Sequence, residues 1–202
     1  TTAVTMPDAD LAYYAIWRIN QYRAVWYLNN GTNAEFTGSL HDYNTAITAP
    51  FGTPNAEDYD EYHDFLGWAA SENGAVITNG DFGVMTTEGA KFYAIWRIHS
   101  NTLAWDSNGG NALTGNYTNG TVDYGTIIVK PADPTRAGHT FLGWATSPNG
   151  TPEPVLPTMP DNNMTYYALW QINSHNITRN TNGGEALTGD YTSGSVNYGT
   201  TI

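Results

Sequence analysis

The 202 residues carry seven Lys plus Arg against nineteen Asp plus Glu, a formal charge of −12, which argues against nucleic acid, whose binding rests on cationic contacts to phosphate, and against anionic membrane surfaces. There is no cysteine, which excludes disulfides and cysteine-based metal sites, and no apolar run of about 18 residues from which membrane insertion of this segment would be expected. Only 13% of residues are charged; surface polarity comes from Asn, Thr, Ser and Gly, a profile common in secreted and surface proteins and unlike the charge blocks of a disordered tail.

The first informative element is YYAIW, from Tyr13 to Trp17, because it returns as FYAIW from Phe92 to Trp96 and as YYALW from Tyr166 to Trp170. Trp17 and Trp96 lie 79 residues apart, Trp96 and Trp170 lie 74 apart, and FLGWA recurs at Phe65 and Phe141 with a step of 76. NNGTNAEFTG from Asn29, NGGNALTG from Asn108 and NGGEALTG from Asn182 form a third series, and TMP at Thr5 and Thr158 a fourth. Such self-similarity means one structural unit copied in tandem. Residues 1–17 read as the C-terminal end of a repeat, 18–96 and 97–170 as complete repeats, and 171–202 as the N-terminal part of a further one. The two end pieces together lack any match to Val129–Glu153, so the natural protein is expected to continue beyond both ends.

Within repeat 18–96, the stretch Glu57 to Asp64 carries five carboxylates and two tyrosines and is expected to form a loop or short helical turn. Repeat 97–170 is the clearer guide to the plan. Thr102 to Trp105 followed by SNGG reads as a strand and a tight turn, since glycine accepts the positive φ such turns need. A second Asn-Gly turn at Asn119 precedes Val122, Tyr124 and the β-branched run Thr126 to Val129, a strand ended by Pro131 and Pro134. A short helix or turn is expected between Ala132 and Gly138. His139 to Thr146 reads as an aromatic strand. Met164 to Ile172 alternates, with Tyr166, Ala168 and Trp170 on one face. Each repeat is thus mainly β, with four to five strands and little helix. Units of about 75 residues bury only about 60% of the surface their unfolded chains expose, so contacts with neighbouring repeats of the same chain are expected to matter.

The order NGG, VxYG, proline-rich bend, FLGW, TMP, YYAxW resembles the Listeria–Bacteroides repeat. The matching pieces are NGGNALTG, VDYGTIIVKPADPTRAGHTFLGWAT and TMPDNNMTYYALWQIN, and they span 97–170, most of 18–96 and both end fragments. The resemblance implies tandem small β-grasp-like modules on large secreted or wall-attached bacterial proteins. It also implies a non-enzymatic stalk, spacer or fibre segment at the cell surface, cell wall or exterior, with adhesin modules and self-assembling filaments of like chains as the alternatives.

Aromatic residues on a surface can stack sugars, but Trp17, Trp68, Trp96, Trp144 and Trp170 fall within regular strand patterns and are expected to fill the repeat cores. Trp26 and Trp105 also align; Arg179 holds their place in the last fragment, so they are expected to be partly exposed. The divergent loop is where a ligand such as a glycan or host surface protein would touch the chain, through Asp58, Tyr59, Asp60, Glu61 and Tyr62. Its carboxylates lack the glycine and terminal Glu of a calcium-binding EF loop. His41, His63, His99, His139 and His175 show no paired ligand spacing. Neither GxSxG nor a phosphate-binding loop occurs. No catalytic residue, cofactor or metal is therefore expected. Lys91 is replaced by Thr165 in the next repeat, which excludes a lysine crosslink common to both.

Overall fold

The computed structural model describes residues 5, 8–10, 12–189 and 194–202, and the chain divides into two compact units, Thr1–Arg97 and Ile98–Ile202. Among the described residues there is no helix. The first unit holds β1 (Gln21–Tyr27), β2 (Glu35–Asp42), β3 (His63–Ala69) and β4 (Ala90–Ile98) in the order β2-β1-β4-β3. The second repeats it with β5 (Ser100–Asp106), β6 (Gly120–Asp123), β7 (His139–Ala145) and β8 (Met164–Ile172) in the order β6-β5-β8-β7. It then adds a separate hairpin of β9 (Ser174–Ile177) and β10 (Gly194–Asn197).

In each sheet the first and last strands of the repeat run parallel at the centre, β1 with β4 and β5 with β8. The first strand also pairs antiparallel with the second. This is a β-grasp-like sheet in which irregular chain stands where a helix would cross. The parallel register sets Trp26 beside Phe92 and Trp105 beside Tyr166, and both pairs stack, with ring centroids 4.3 and 4.9 Å apart.

The FLGW strand completes the aromatic face by an irregularity. In a regular strand, Phe141 and Trp144, three residues apart, would point to opposite faces. The β7–β8 register slips between Phe141 and Gly143. This bulge returns both rings to the core face, 5.6 Å apart and edge to face. Leu142 is left outward, 47% exposed, and its counterpart Leu66 is 45% exposed. Gly143 adopts φ +139° and Gly67 φ +146°. A Cβ on Gly67 would lie 2.4 Å from Val76 Cγ1, and one on Gly143 3.1 Å from Pro152 Cβ.

The open side of the aromatic face is closed by a short pairing of two loops. Ile47 N–H donates to Gly83 O and Met85 N–H to Thr45 O, each at 2.9 Å. Ile128 N–H donates to Pro157 O at 3.0 Å and Met159 N–H to Thr126 O at 2.8 Å. Ile47 with Met85, and Ile128 with Met159, are thereby pressed into the two cores. Met159 is the methionine of the TMP motif.

Several local expectations change. The run Thr126–Val129 is not a strand: β6 stops at Asp123, Gly125 turns the chain at φ +76°, and only Ile127 makes a bridge, to Thr158. Of the helix or turn expected between Ala132 and Gly138, the turn is what forms, at Ala137 and Gly138, closed by His139 N–H on Arg136 O at 3.1 Å, and buried Pro131 and Pro134 leave no helix before it. The stretch Glu57–Asp64 is a pair of turns leading into β3. Trp26, expected to be partly exposed, is fully buried, whereas Trp105 is half-buried. The Trp26 ring is enclosed by Phe92, Trp68 and Phe82, with centroids 4.3, 5.0 and 4.9 Å away, an environment that the Arg at the aligned position 179 does not indicate.

Gly67→Ala and Gly143→Ala are each expected to lower unfolding free energy by about 1–3 kcal/mol, through a methyl forced into positive φ and into van der Waals overlap. Urea denaturation of the 202-residue chain measures this, and an unchanged midpoint for both variants would remove the bulge from the account.

Candidate functional site

The NGG turn and the YYAxW tryptophan, from opposite ends of a repeat, meet in space. Asn108 and Gly109 both take positive φ, +49° and +83°, and Gly110 N–H closes the turn on Ser107 O at 2.9 Å. Asparagine tolerates this conformation where most residues do not. Its side-chain amide then ties two other segments, donating to Pro148 O at 2.9 Å and Ala168 O at 3.0 Å. Asn29 does the same in the first repeat, to Glu72 O at 2.8 Å and Ala94 O at 2.9 Å. The tryptophan indoles bind the residue before the turn: Trp96 Nε1–H donates to Leu28 O at 2.7 Å and Trp170 Nε1–H to Ser107 O at 3.0 Å. A Cβ on Gly110 would sit 2.6 Å from the Trp170 ring.

Of the tryptophans expected in the cores, Trp68 and Trp144 are buried. Trp96 and Trp170 are half-buried against the same clusters. Trp17 is 89% exposed, a departure from the core role expected of it. Unlike the Trp96 and Trp170 indoles, that of Trp17 meets no carbonyl among the described residues.

The divergent acidic loop carries several hydrogen bonds within itself. Asp58 Oδ2 accepts from Asn55 N–H at 3.0 Å, and Asn55 Oδ1 accepts from Glu57 N–H at 2.8 Å. Asp60 Oδ1 accepts from Tyr62 N–H at 2.8 Å and lies 2.7 Å from His63 Nδ1. Tyr59 stacks on His63 with centroids 4.0 Å apart and meets Trp96 edge-on at 5.1 Å. Asn30 from the turn donates to Asp58 O at 2.6 Å. Asp58, Tyr59, Asp60 and Tyr62 are half-buried and Glu61 is exposed. The loop therefore walls the end of the core beside Trp96. No group of three or more His, Cys, Asp or Glu positioned to hold a metal ion occurs among the described residues.

In the second repeat, Arg136 serves the corresponding wall, its Nη1 donating to Asn108 O at 3.2 Å. The next loop also differs. Ile77 N–H and Glu153 N–H both donate to the tryptophan carbonyl of β3 or β7, at 2.8 and 2.9 Å. In the second repeat, Glu153 Oε1 further accepts the Thr146 hydroxyl at 2.6 Å and the Thr146 N–H at 2.5 Å. These bonds to the Thr146 hydroxyl and then its amide hold the Glu153 carboxyl below the ordinary Glu range.

Shallow concavities among the described residues include three. One, of about 390 Å³ in the first repeat, is lined by Tyr27, Asn29, Thr32, Asn33, Glu72, Lys91 and Tyr93. Tyr27 and Tyr93 stack there at 5.4 Å. A second, of about 400 Å³, shares Glu72 and Tyr93. A third, of about 550 Å³, lies in the second repeat around Leu142, Pro152 and Trp170. The tyrosine pair is absent from the sequence expectations. Its signal is the neighbour rule: Tyr27 and Tyr93 follow Trp26 and Phe92, so when those rings enter the core the tyrosines face outward together.

Asp60→Ala is expected to lower the stability of the first repeat by about 1 kcal/mol by stripping the caps from Tyr62 and His63. Glu61→Ala, on an exposed residue, is expected to change it by less than about 0.5 kcal/mol; equal effects in thermal denaturation would count against a structural loop. Because the folded carboxyl of Glu153 titrates below its unfolded value, its contribution is present above the unfolded pKa, about 4.3, and is lost as pH falls through the lower folded pKa. Glu153→Gln should therefore flatten the acid limb of the stability profile, and an acid limb identical to that of the parent chain would refute the assignment.

A sequence model of the Listeria–Bacteroides repeat domain matches residues 22–95 and 102–169. Among relatives, a predicted membrane protein of Evansella cellulosilytica is 31% identical over 195 residues, covering 95% of this chain and 27% of its own length. A predicted Gly-rich membrane protein of the same organism is 29% identical over 183 residues, covering 88% of this chain and 20% of its own length. Internalin H of Listeria monocytogenes serovar 1/2a is 32% identical over 119 residues, 57% of this chain and 20% of that protein. The chain thus spans roughly a quarter or less of the relatives it matches. With both complete repeats matched, and with their motifs spent on one shared packing scheme, the chain belongs to the Listeria–Bacteroides repeat family.

Proposed function

We propose that this chain is a non-enzymatic structural segment of a larger bacterial surface or secreted protein, acting as stalk or spacer for regions elsewhere in the parent. The observation that carries this reading is the fate of the recurring residues. In the two complete repeats the tryptophans, the NGG asparagines, the FLGW glycines and the methionine of the second repeat's TMP are engaged in packing or bonding within their own repeats. Catalysis needs convergent polar groups in a cleft, and the recurring motifs supply none. The relatives named as membrane proteins and as an internalin support the surface location. No helix of the described residues is long and apolar enough to cross a membrane.

A spacer is defined by being replaceable. Residues 97–170 would be deleted from the parent protein, then replaced by an unrelated folded module of similar length. Accessibility of the parent's other domains to antibody on intact cells is expected to fall on deletion and recover on replacement. Failure to recover would show that the repeat contributes something besides reach.

One observation favours a second reading, adhesion to a glycan or host surface protein. The stacked Tyr27–Tyr93 pair, flanked by Lys91 and Asn33, is peculiar to the first repeat, where the second has Asp106 and Tyr167. Ligand contact through Asp58, Tyr59, Asp60, Glu61 and Tyr62 belongs to the same reading. A glycan array probed with the 202-residue chain and its Tyr93→Ala variant tests the tyrosine pair. Signal lost in the variant supports it, and equal signal or none from both rejects it.

A further inference from the structure

Among the described residues, the hairpin after β8 belongs to neither four-stranded sheet: β9 and β10 pair only with each other, and most of their residues are exposed; an isolated two-stranded hairpin is marginal in water. Its support lies at the join with the preceding repeat. Asn173, the single residue between β8 and β9, donates its N–H to Gly138 O at 2.8 Å, carrying the β7–β8 ladder one step past His139 and Ile172. Its Oδ1 accepts from Thr140 Oγ1 at 2.7 Å. Its carbonyl accepts the N–H of Tyr198, the residue after β10, at 2.8 Å. One residue is thus bonded backwards through its amide and side chain and forwards through its carbonyl.

The Tyr198 ring completes the join. A Cβ built on Gly138 would fall 1.9 Å from Tyr198 Cδ1, so the ring lies directly against the glycine. Gly138 also has φ +68°. A side chain there is therefore opposed by both the backbone and the ring.

The part supplied by the following repeat is a standard one. The tyrosine N–H donates to the residue before the first strand of its hairpin in all three copies: Tyr43 to Asn20 and Tyr124 to His99 at 2.9 Å, and Tyr198 to Asn173 at 2.8 Å. The neighbouring side chains also pair each time, Gln21 with Asp42 at 2.9 Å and Ser100 with Asp123 and Ser174 with Asn197 at 2.7 Å. The part supplied by the preceding repeat is not standard, since Tyr62 stands at the Gly138 position in repeat 18–96.

We propose that Gly138, Thr140 and Asn173 form a docking seat whose occupant is the VxYG turn of the following repeat, here Val196 to Gly199, and that the glycine before the FLGW strand is what admits the tyrosine. The consequence for an array rests on the spacer reading, because a spacer needs set joints; the seat itself stands on contacts that do not depend on it.

Amide hydrogen exchange on the 202-residue chain tests the seat. Tyr198→Ala is expected to speed exchange at Tyr198 and in the β9–β10 ladder by about tenfold, the scale of one lost contact, with β5 and β8 unchanged. Gly138→Ala, which displaces the ring from the other side, should reproduce the hairpin effect. The double variant should add little, since both remove one contact. Unchanged exchange in Tyr198→Ala, or fully additive single effects, would overturn the seat. Equal acceleration across β5–β8 would also overturn it, by assigning the ring to the stability of the repeat itself. None of these outcomes decides whether a foreign module can replace the repeat, so the seat and the spacer reading fail separately.

Discussion

The structure depends on a chain of five aromatic rings in each repeat. In the first it runs Phe92, Trp26, Trp68, Phe65, Trp96, with successive centroids 4.3, 5.0, 5.3 and 5.6 Å apart. In the second it runs Tyr166, Trp105, Trp144, Phe141, Trp170, at 4.9, 4.9, 5.6 and 5.5 Å. The stacked pair at the head and the edge-to-face contacts that follow are arrangements the ring quadrupole favours. A module this small, without cysteine and without a helix over its sheet, has few other sources of cohesion. At about 25 cal/mol per Å², a ring burying about 200 Å² contributes on the order of 5 kcal/mol of transfer free energy. The rings therefore supply much of what opposes chain entropy. The parallel strand pair, the bulge and the loop-borne methionine can all be understood as ways of keeping these five rings on one face.

Much of this was legible from repetition. The strands Met164–Ile172 and His139–Ala145 were readable because their aromatic and small residues alternate or recur as a block. The bulge was less visible, because FLGW looks like any short aromatic strand. Its trace was present nonetheless, in a Phe and a Trp three apart with a glycine between them, a spacing that places both rings on one face only if the strand slips. Thr126–Val129 misled because β-branched composition outweighed the glycine at 125 in a local reading. What sends Ile128 into the core is the bridge of Ile127 to Thr158 and its own bond to Pro157 O, some thirty residues away, and no window along the sequence contains both.

Trp26 and the acidic loop show two limits of comparing copies. An alignment treats each copy as equivalent, yet the burial of Trp26 is set by rings from three other segments, Phe92, Trp68 and Phe82. The Arg at the aligned position 179 does not reveal that environment. The acidic loop shows the converse. Tyr59 against His63 and Trp96, and Asp60 capping the turn, close the end of the first core; Arg136, bonded to Asn108 O, serves the second. Two dissimilar sequences answer one steric demand, so divergence between copies is weak evidence of a binding role.

The remaining asymmetry lies at the ends of the repeat, where tryptophan and tyrosine work in opposite directions. The YYAxW tryptophan bonds its indole N–H to the carbonyl before the NGG turn of its own repeat, so it closes a repeat upon itself. Tyr198 of the last VxYG turn leans on Gly138, before the FLGW strand of the repeat that precedes it, and so ties the opening hairpin to that repeat. The two demands draw on different residues. A core can therefore be held constant by the five rings while residue 138 or its counterpart varies. That separation lets a tandem array change the character of its joints without reopening the problem of folding each module.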